Sequence, residues 1–209
     1  VTSLQAGMGK TFISTNLAAS FAIAGKRVVV LDLDLRRGIM TRSFFSRKHH
    51  GLSSYLAGKT DDWQSLVKHD IMCAGIDSLF TGHIPPNPTE LVARESLDRM
   101  INNLKKQFDY VVLDTAPIGM VSDTQLIART ADVSIYVCRA DYTHKADYTL
   151  INDLHEQKKL PNICTIVNGM DMTKRKYGYY YGYGKYGKYG KYYGYGRKYS
   201  YGYGYGKEG

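Results

Sequence analysis

Short apolar runs, rich in β-branched residues, alternate along this chain with longer amphipathic stretches. The segments "KRVVVLDLD" (26–34), "YVVLDTAP" (110–117), "VSIYVC" (133–138) and "ICTIVN" (163–168) are apolar at nearly consecutive positions. That pattern predicts strands buried on both faces. Between them the apolar period lengthens to that of a helix. Thr11–Ala24 sets Ile13, Leu17, Phe21 and Ala24 on one stripe, with Gly25 following as a C-cap. The stretch "NPTELVARESLDRMINNLKK" (87–106) reads as one helix, with Asn87 as N-cap, Pro88 at the first helical position and Glu90 completing a capping box. Lys105 and Lys106 fall at its far end, where the helix dipole favours cations. Ala146–Lys159 is a further helix, stopped by Pro161, and Val1–Leu4 reads as the end of another strand. Strand and helix in this rhythm predict an α/β fold: a doubly wound, mainly parallel sheet flanked by helices. Such sheets carry their sites at the carboxyl ends of the strands.

From about Thr173 the pattern stops. Of the 33 residues from Tyr177 to Gly209, fourteen are tyrosine and eleven are glycine, with no apolar period of either kind. Glycine raises the entropy to be lost on folding, and nothing supplies an internal hydrophobic face. Residues 174–209 are therefore expected to be a disordered Tyr/Gly/Lys-rich tail, and residues 1–173 the folded domain. Alternating Tyr and Gly is also a pattern that can adhere as β-like segments in an assembly.

Charge follows the same division. The formal net charge is +9, but from Lys174 onward there are nine basic residues and one acid. The tail thus carries +8, and the body, with 19 basic and 18 acidic residues, is near neutral. The folded part needs no nucleic acid to balance it. Cys73, Cys138 and Cys164 are odd in number and match no metal-site spacing, which points to a reducing compartment. Cys138 and Cys164 lie in apolar runs and are expected in the core. His49 and His50 sit in a basic loop and read as surface residues. No run of about 20 apolar residues and no signal peptide is visible. The start "VTSLQAGMGKT", without an initiator Met, reads as an N-terminally truncated fragment of a longer polypeptide.

The candidate chemistry gathers at predicted strand ends. "AGMGKTF" (6–12) stands between a strand and a helix. In such a loop Gly7 and Gly9 let backbone amides, including those of Met8 and Phe12, turn around a polyphosphate. Lys10 supplies charge to the β and γ phosphates, and Thr11 offers a hydroxyl to Mg²⁺. The full G-x-x-x-x-G-K-[ST] form would need Gly at Leu4. Asp32 and Asp34, two apart at the end of a strand, point to one face, where paired carboxylates call for a cation. Asp114 closes "YVVLD" as a carboxylate at the sheet rim, the Walker B form, while Asp109 is a solvated turn residue at the other end. Asn168 in "IVNGMD" either reads an adenine edge or belongs to an ordinary Asn-Gly turn. Arg36, Arg37 and Arg139 either hold phosphates, touch a neighbouring subunit, or are surface charges.

Together these segments resemble the bacterial tyrosine kinases of polysaccharide export, whose P-loop NTPase scaffold is related to the septum-site and plasmid-partition ATPases. "TSLQAGMGKT" matches Walker A, "LDLDLRRG" the family's Asp-x-Asp-x-Arg motif and "YVVLDTAP" Walker B; "GHIPPNPTELV" and "DVSIYVCRADYT" also resemble family segments. Gln5 stands where the partition ATPases carry a second lysine, Ala6 where the kinases often have Pro, and the kinases' upstream oligomerisation segment would precede Val1. The resemblance implies an ATP- and Mg²⁺-dependent protein-tyrosine kinase. Lys10, Asp32 and Asp34 would be its catalytic residues, with Asp32 nearest the acceptor hydroxyl. Thr11, Asp34 and Asp114 would be its metal ligands, and Gly7, Met8, Gly9, Lys10, Thr11, Phe12, Arg139 and Asn168 its nucleotide contacts. The phosphoacceptors would be Tyr177, Tyr179, Tyr180, Tyr181, Tyr183, Tyr186, Tyr189, Tyr192, Tyr193, Tyr195, Tyr199, Tyr201, Tyr203 and Tyr205, modified in trans by neighbouring copies. A Gly-rich coil of that length spans roughly 30 Å r.m.s., enough to reach an adjacent subunit.

The resemblance also implies a homo-oligomer in the full-length protein, a transmembrane activator segment on the same or a separate chain, a phosphotyrosine phosphatase and the polysaccharide export machinery, with no nucleic-acid partner. The location would be cytoplasmic, at the inner face of the plasma membrane. Two other readings share some features: a partition-type ATPase, and a scaffold whose basic Tyr/Gly tail binds acidic polymers.

Overall fold

The structure, a computed structural model, describes residues 1–45 and 50–171. The expected tail, with all of its tyrosines, and His49 lie outside the described residues.

The elements are α1 (Lys10–Ile23), β1 (Val28–Asp32), α2 (Ile39–Phe44), α3 (Leu52–Leu56), β2 (Lys68–His69), β3 (Ile76–Leu79), α4 (Pro88–Ala93), α5 (Glu95–Gln107), β4 (Tyr110–Asp114), α6 (Asp123–Ala128), β5 (Ser134–Arg139), α7 (Asp147–Glu156) and β6 (Ile163–Asn168), with a 3₁₀ turn at Gln64–Leu66. β1 lies between β3 and β4, parallel to both, and β2 adds an antiparallel edge. β5 and β6 form a second parallel pair. The first residues join the two: Thr2 bridges Tyr136 in parallel, Val137 N donates to Thr2 O, and Thr115 N donates to Val1 O. The segment read as a strand end is thus a short stitch between β4 and β5.

β1 is buried at every position, as its unbroken apolar run requires. Val29 and Leu31 face a core built with Leu52, Leu97, Ile101 and Leu104, while Val28 and Val30 face Ala18, Ile76 and Phe80. Helices therefore cover both faces of the sheet, as the sequence pattern predicts.

Four expectations are corrected. The helix expected over 87–106 is two helices, because Arg94 is extended at φ −72°, ψ 148°. The Arg129 guanidinium donates to the carbonyls of Val92 and Arg94 and pairs with Asp98. It replaces partners that a continuous helix would have supplied. Asn87 is the N-cap residue, but its amide bonds the Glu90 carboxylate rather than the helix backbone. On α1 the fully buried positions are the small residues Ser14 and Ala18, Lys10 is nearly so, and Ala24 is exposed. Small residues on that face let the helix sit close to the sheet. Cys138 is buried, but Cys164 is exposed, because β6 is an edge strand with incomplete cover. No helix among the described residues is long and apolar enough to cross a membrane.

Candidate functional site

β1 ends at Asp32 and β4 at Asp114, and these two residues are register partners on adjacent strands. The loop after Val1–Ser3 delivers Lys10 and Thr11 to the same rim as the first two residues of α1. Gly7 and Gly9 have φ +80° and +95°, values that L side chains rarely adopt. A Cβ on Gly9 would stand 2.1 Å from the Asn168 amide nitrogen, so glycine here serves both conformation and close approach.

A cavity of about 170 Å³ opens above this loop, lined by Ala6, Gly7, Gly9, Lys10, Thr11, Phe12, Asp34, Arg37, Ile39 and Pro117. It brings together most of the expected phosphate-loop residues with Asp34. Met8 does not line this cavity: its side chain is buried and its carbonyl accepts from Asn168 Nδ2 at 3.0 Å. Arg139 Nη1 donates to Gly7 O at 3.0 Å. Asn168 and Arg139, expected as nucleotide contacts, thus grip the loop's backbone from the ends of β6 and β5.

The carboxylates occupy three environments. Thr11 Oγ1 donates to Asp114 Oδ2 at 2.6 Å, and Ser14 Oγ to Asp114 Oδ1 at 3.2 Å. Burial pushes the Asp114 carboxyl above its ordinary pKa, opposed chiefly by the Thr11 bond. Asp32 Oδ2 accepts from Thr41 N at 3.0 Å and Thr41 Oγ1 at 2.8 Å, while its buried Oδ1 has no hydrogen-bond partner. Burial raises Asp32 to about 6, against the Thr41 bonds that favour its ionised form. Asp34 accepts from Arg37 N at 3.2 Å. Burial pulls the Lys10 ammonium below its usual pKa, and the Asp114 and Asp34 carboxylates counteract this. Lys10 and Asp34 line the same cavity, so the ammonium and a carboxylate face one space.

The donor set fits a hard cation. Thr11 spends its proton on Asp114, which leaves its oxygen lone pairs free, and Asp34 adds a second oxygen donor on the cavity wall. Among the described residues no three His, Cys, Asp or Glu side chains cluster closely enough to hold a metal by themselves. Mg²⁺ is characteristically held by one or two protein groups together with substrate phosphates and water.

The pattern of the sequence missed Ser14, Thr41 and Asp123. Ser14 lies one helical turn beyond Lys10 and was findable by spacing. Thr41 and Asp123 act from separate elements and leave no local signal. A larger cavity of about 460 Å³ runs along β4 and β5, with Phe21, Val111 and Ile135 in its lining. Its one lysine, Lys105, is paired with Asp132 at 2.9 Å, and its remaining charged side chain, Asp109, is an acid paired with Arg27, so the lining offers no free cationic side chain to a phosphate.

These features define a P-loop nucleotide-binding scaffold. A family model described as an AAA domain matches residues 1–164. The tyrosine-protein kinase CpsD of Streptococcus pneumoniae is 38% identical over 191 residues, covering 90% of this chain and 82% of that one. The solved kinase domain of the Escherichia coli tyrosine kinase ETK is 34% identical with TM-score 0.74, over 81% of this chain and 66% of that one. The chain spans only 23% of the curated etk sequence of Escherichia coli K12. The septum site-determining protein MinD of Pyrococcus horikoshii, solved with Mg-ADP, shares the fold at TM-score 0.64 and 19% identity. The chain belongs to the bacterial tyrosine-protein kinases, enzymes on a P-loop rather than on the eukaryotic kinase fold.

Proposed function

We propose that this chain transfers the γ-phosphoryl group of Mg·ATP to tyrosine hydroxyls of the C-terminal cluster on a neighbouring copy. The observation that carries the reading is the contact of Thr11 with Asp114, with Lys10, Thr11 and Asp34 lining one cavity. Magnesium would be held by Thr11 and Asp34, with Asp114 fixing the Thr11 hydroxyl, and would neutralise charge developing on the β and γ phosphates. Amides of the Gly7–Phe12 loop cradle the phosphates, and Lys10 draws charge toward the leaving oxygen. The phenol oxygen bonds to the γ-phosphorus as the bond to the β–γ bridging oxygen breaks, and ADP leaves. A phenol is protonated at neutral pH, with a pKa near about 10. Asp32, oriented by Thr41 and with Oδ1 free of partners, takes its proton. Asn168 Oδ1 and Arg139 complete the nucleotide's surroundings while holding the loop.

The tail is the substrate. Each phosphate adds about −1.5 to −2 charges, so on the order of five would cancel the tail's charge and loosen contacts between copies. The likeness to the kinase family extends the proposal to control of polysaccharide polymerisation and export. It includes an oligomer at the inner face of the plasma membrane, a transmembrane activator and an opposing phosphatase. A partition-type ATPase would hydrolyse ATP without making phosphotyrosine.

The test mixes two proteins: the chain truncated after Thr173 as donor, and the 209-residue chain carrying Lys10→Met as acceptor. Phosphate from Mg·ATP on the acceptor's tail supports transfer in trans. ATP hydrolysis with an unmodified acceptor would refute it.

A further inference from the structure

Asp123 is the first residue of α6, and its carboxylate is almost fully buried. No feature of the sequence singles it out, yet it makes the densest set of side-chain bonds near the site. Arg36 grips it in bidentate fashion, with Nε 2.7 Å from Oδ2 and Nη2 3.1 Å from Oδ1. Thr89 Oγ1 donates to Oδ1 at 2.6 Å, and Arg36 Nη2 also donates to Thr89 Oγ1 at 2.8 Å. Burial alone would raise the Asp123 pKa, but the Arg36 and Thr89 bonds hold it below the ordinary value. The group is a charged carboxylate held by two elements other than its own: the turn after β1 and the start of α4.

The place of Arg36 in the chain gives this cluster a role beyond packing. It lies two residues after Asp34 and one before Arg37, both of which line the phosphate cavity. In the same turn Gly38 N donates to Asp34 O at 2.8 Å and Arg37 N to Asp34 O at 3.2 Å. Between buried Leu35 and buried Met40, Arg37 and Ile39 are exposed and Gly38 has no side chain. Arg36 is therefore the side chain that ties this turn to the body of the fold. A planar guanidinium on a carboxylate fixes direction as well as distance, which a lysine cannot do. Groups that touch substrate are only as well placed as the residues that support them.

We propose that Asp123, with Thr89, is a positioning residue that acts through Arg36 to set Asp34 and Arg37 at the phosphate cavity. The proposal rests on the phosphoryl-transfer reading for its consequence in catalysis, but its structural content is independent of it. It also divides the two arginines. Arg36 is committed to Asp123, and Arg37 is the guanidinium available to an anion in the cavity.

The experiment compares the 209-residue chain with its Arg36→Lys, Asp123→Asn and Thr89→Val variants. Amide hydrogen exchange over residues 33–41 is read first, then binding of ADP with and without Mg²⁺, then phosphotyrosine formation at saturating ATP. Expected in Arg36→Lys and Asp123→Asn are faster exchange confined to that segment, ADP affinity without Mg²⁺ within about twofold of the parent, and Mg²⁺-dependent affinity and rate lowered by about 10-fold or more. Thr89→Val should show the same pattern more weakly. Unchanged exchange with unchanged Mg²⁺ dependence in folded Arg36→Lys overturns the proposal. So does a loss that only tracks the folded fraction. If Asp123→Asn does not fold, the other two variants decide. Should the parent chain make no phosphotyrosine, the kinase reading fails while exchange and Mg·ADP binding still decide this one.

Discussion

The Thr11 hydroxyl donates to the Asp114 carboxylate across 2.6 Å, joining the first turn of α1 to the end of β4, 103 residues further along the chain. The bond does two things. It gives a buried carboxylate one of its two side-chain donors, and it uses the hydroxyl's proton so that the Thr11 oxygen, at the cavity wall, can act only as a lone-pair donor. Thr11→Ala should therefore cost about 1–3 kcal/mol of stability, from the donor lost to a buried anion. It should also cut phosphorylation about 10- to 100-fold with a raised Mg²⁺ requirement. Thermal unfolding and a Mg²⁺ titration of activity read the two effects separately.

Gly9→Ala should abolish nucleotide binding. The added Cβ would meet the Asn168 amide at 2.1 Å, and the φ of +95° strains any L side chain. Adding Asn168→Ala removes the collision but not the backbone strain, which costs about 1–3 kcal/mol. The double variant should thus recover less than half of the lost melting temperature. Calorimetric titration with ADP and thermal unfolding provide the readings.

Asp32→Asn separates stability from chemistry. The wild-type carboxylate is buried with Oδ1 unpartnered, a charge held at the expense of the nucleotide-free fold. At pH 8, without Mg²⁺ or nucleotide, Asp32→Asn should melt higher than wild type. A gain of 1 kcal/mol corresponds to about 2–4 °C in a chain of this size. The same variant should lose most of its phosphotransfer activity. A lower melting temperature would mean that the Thr41 bonds outweigh the burial of the charge.

How much of this was legible in advance follows the range of the interactions. β1 and β4 announced themselves because strands buried on both faces carry continuous apolar runs, and the phosphate loop because its glycines and Lys10 are contiguous. The break at Arg94 was invisible because Arg129, which accommodates it, lies 35 residues away. The exposure of Cys164 depends on β6 lying at an edge, which an apolar run does not encode. Thr41 and Asp123 were missed for the same reason: each supports the site through a contact that only the folded topology creates.

Arg27 and Asp109 link the start of β1 to the turn before β4, with Arg27 Nη2 2.8 Å from Asp109 Oδ1. The Arg27 hydrogen bonds hold Asp109 at about 2, below the ordinary carboxylate value. A depressed carboxylate contributes stability that is present above its unfolded pKa and lost as pH falls through its folded pKa. The melting-temperature difference between wild type and Asp109→Asn should therefore be constant above about pH 5 and shrink from there toward pH 2. Because the pair is exposed, the difference should be small and diminish further in high salt.

The most direct measurement is phosphotyrosine mapping by mass spectrometry after incubating the chain and its Lys10→Met variant with Mg·ATP. Phosphate on tyrosines between Tyr177 and Tyr205 in the wild type, and none in Lys10→Met, is the predicted result. ATP consumed with no modified tyrosine, or equal modification in both proteins, would contradict it.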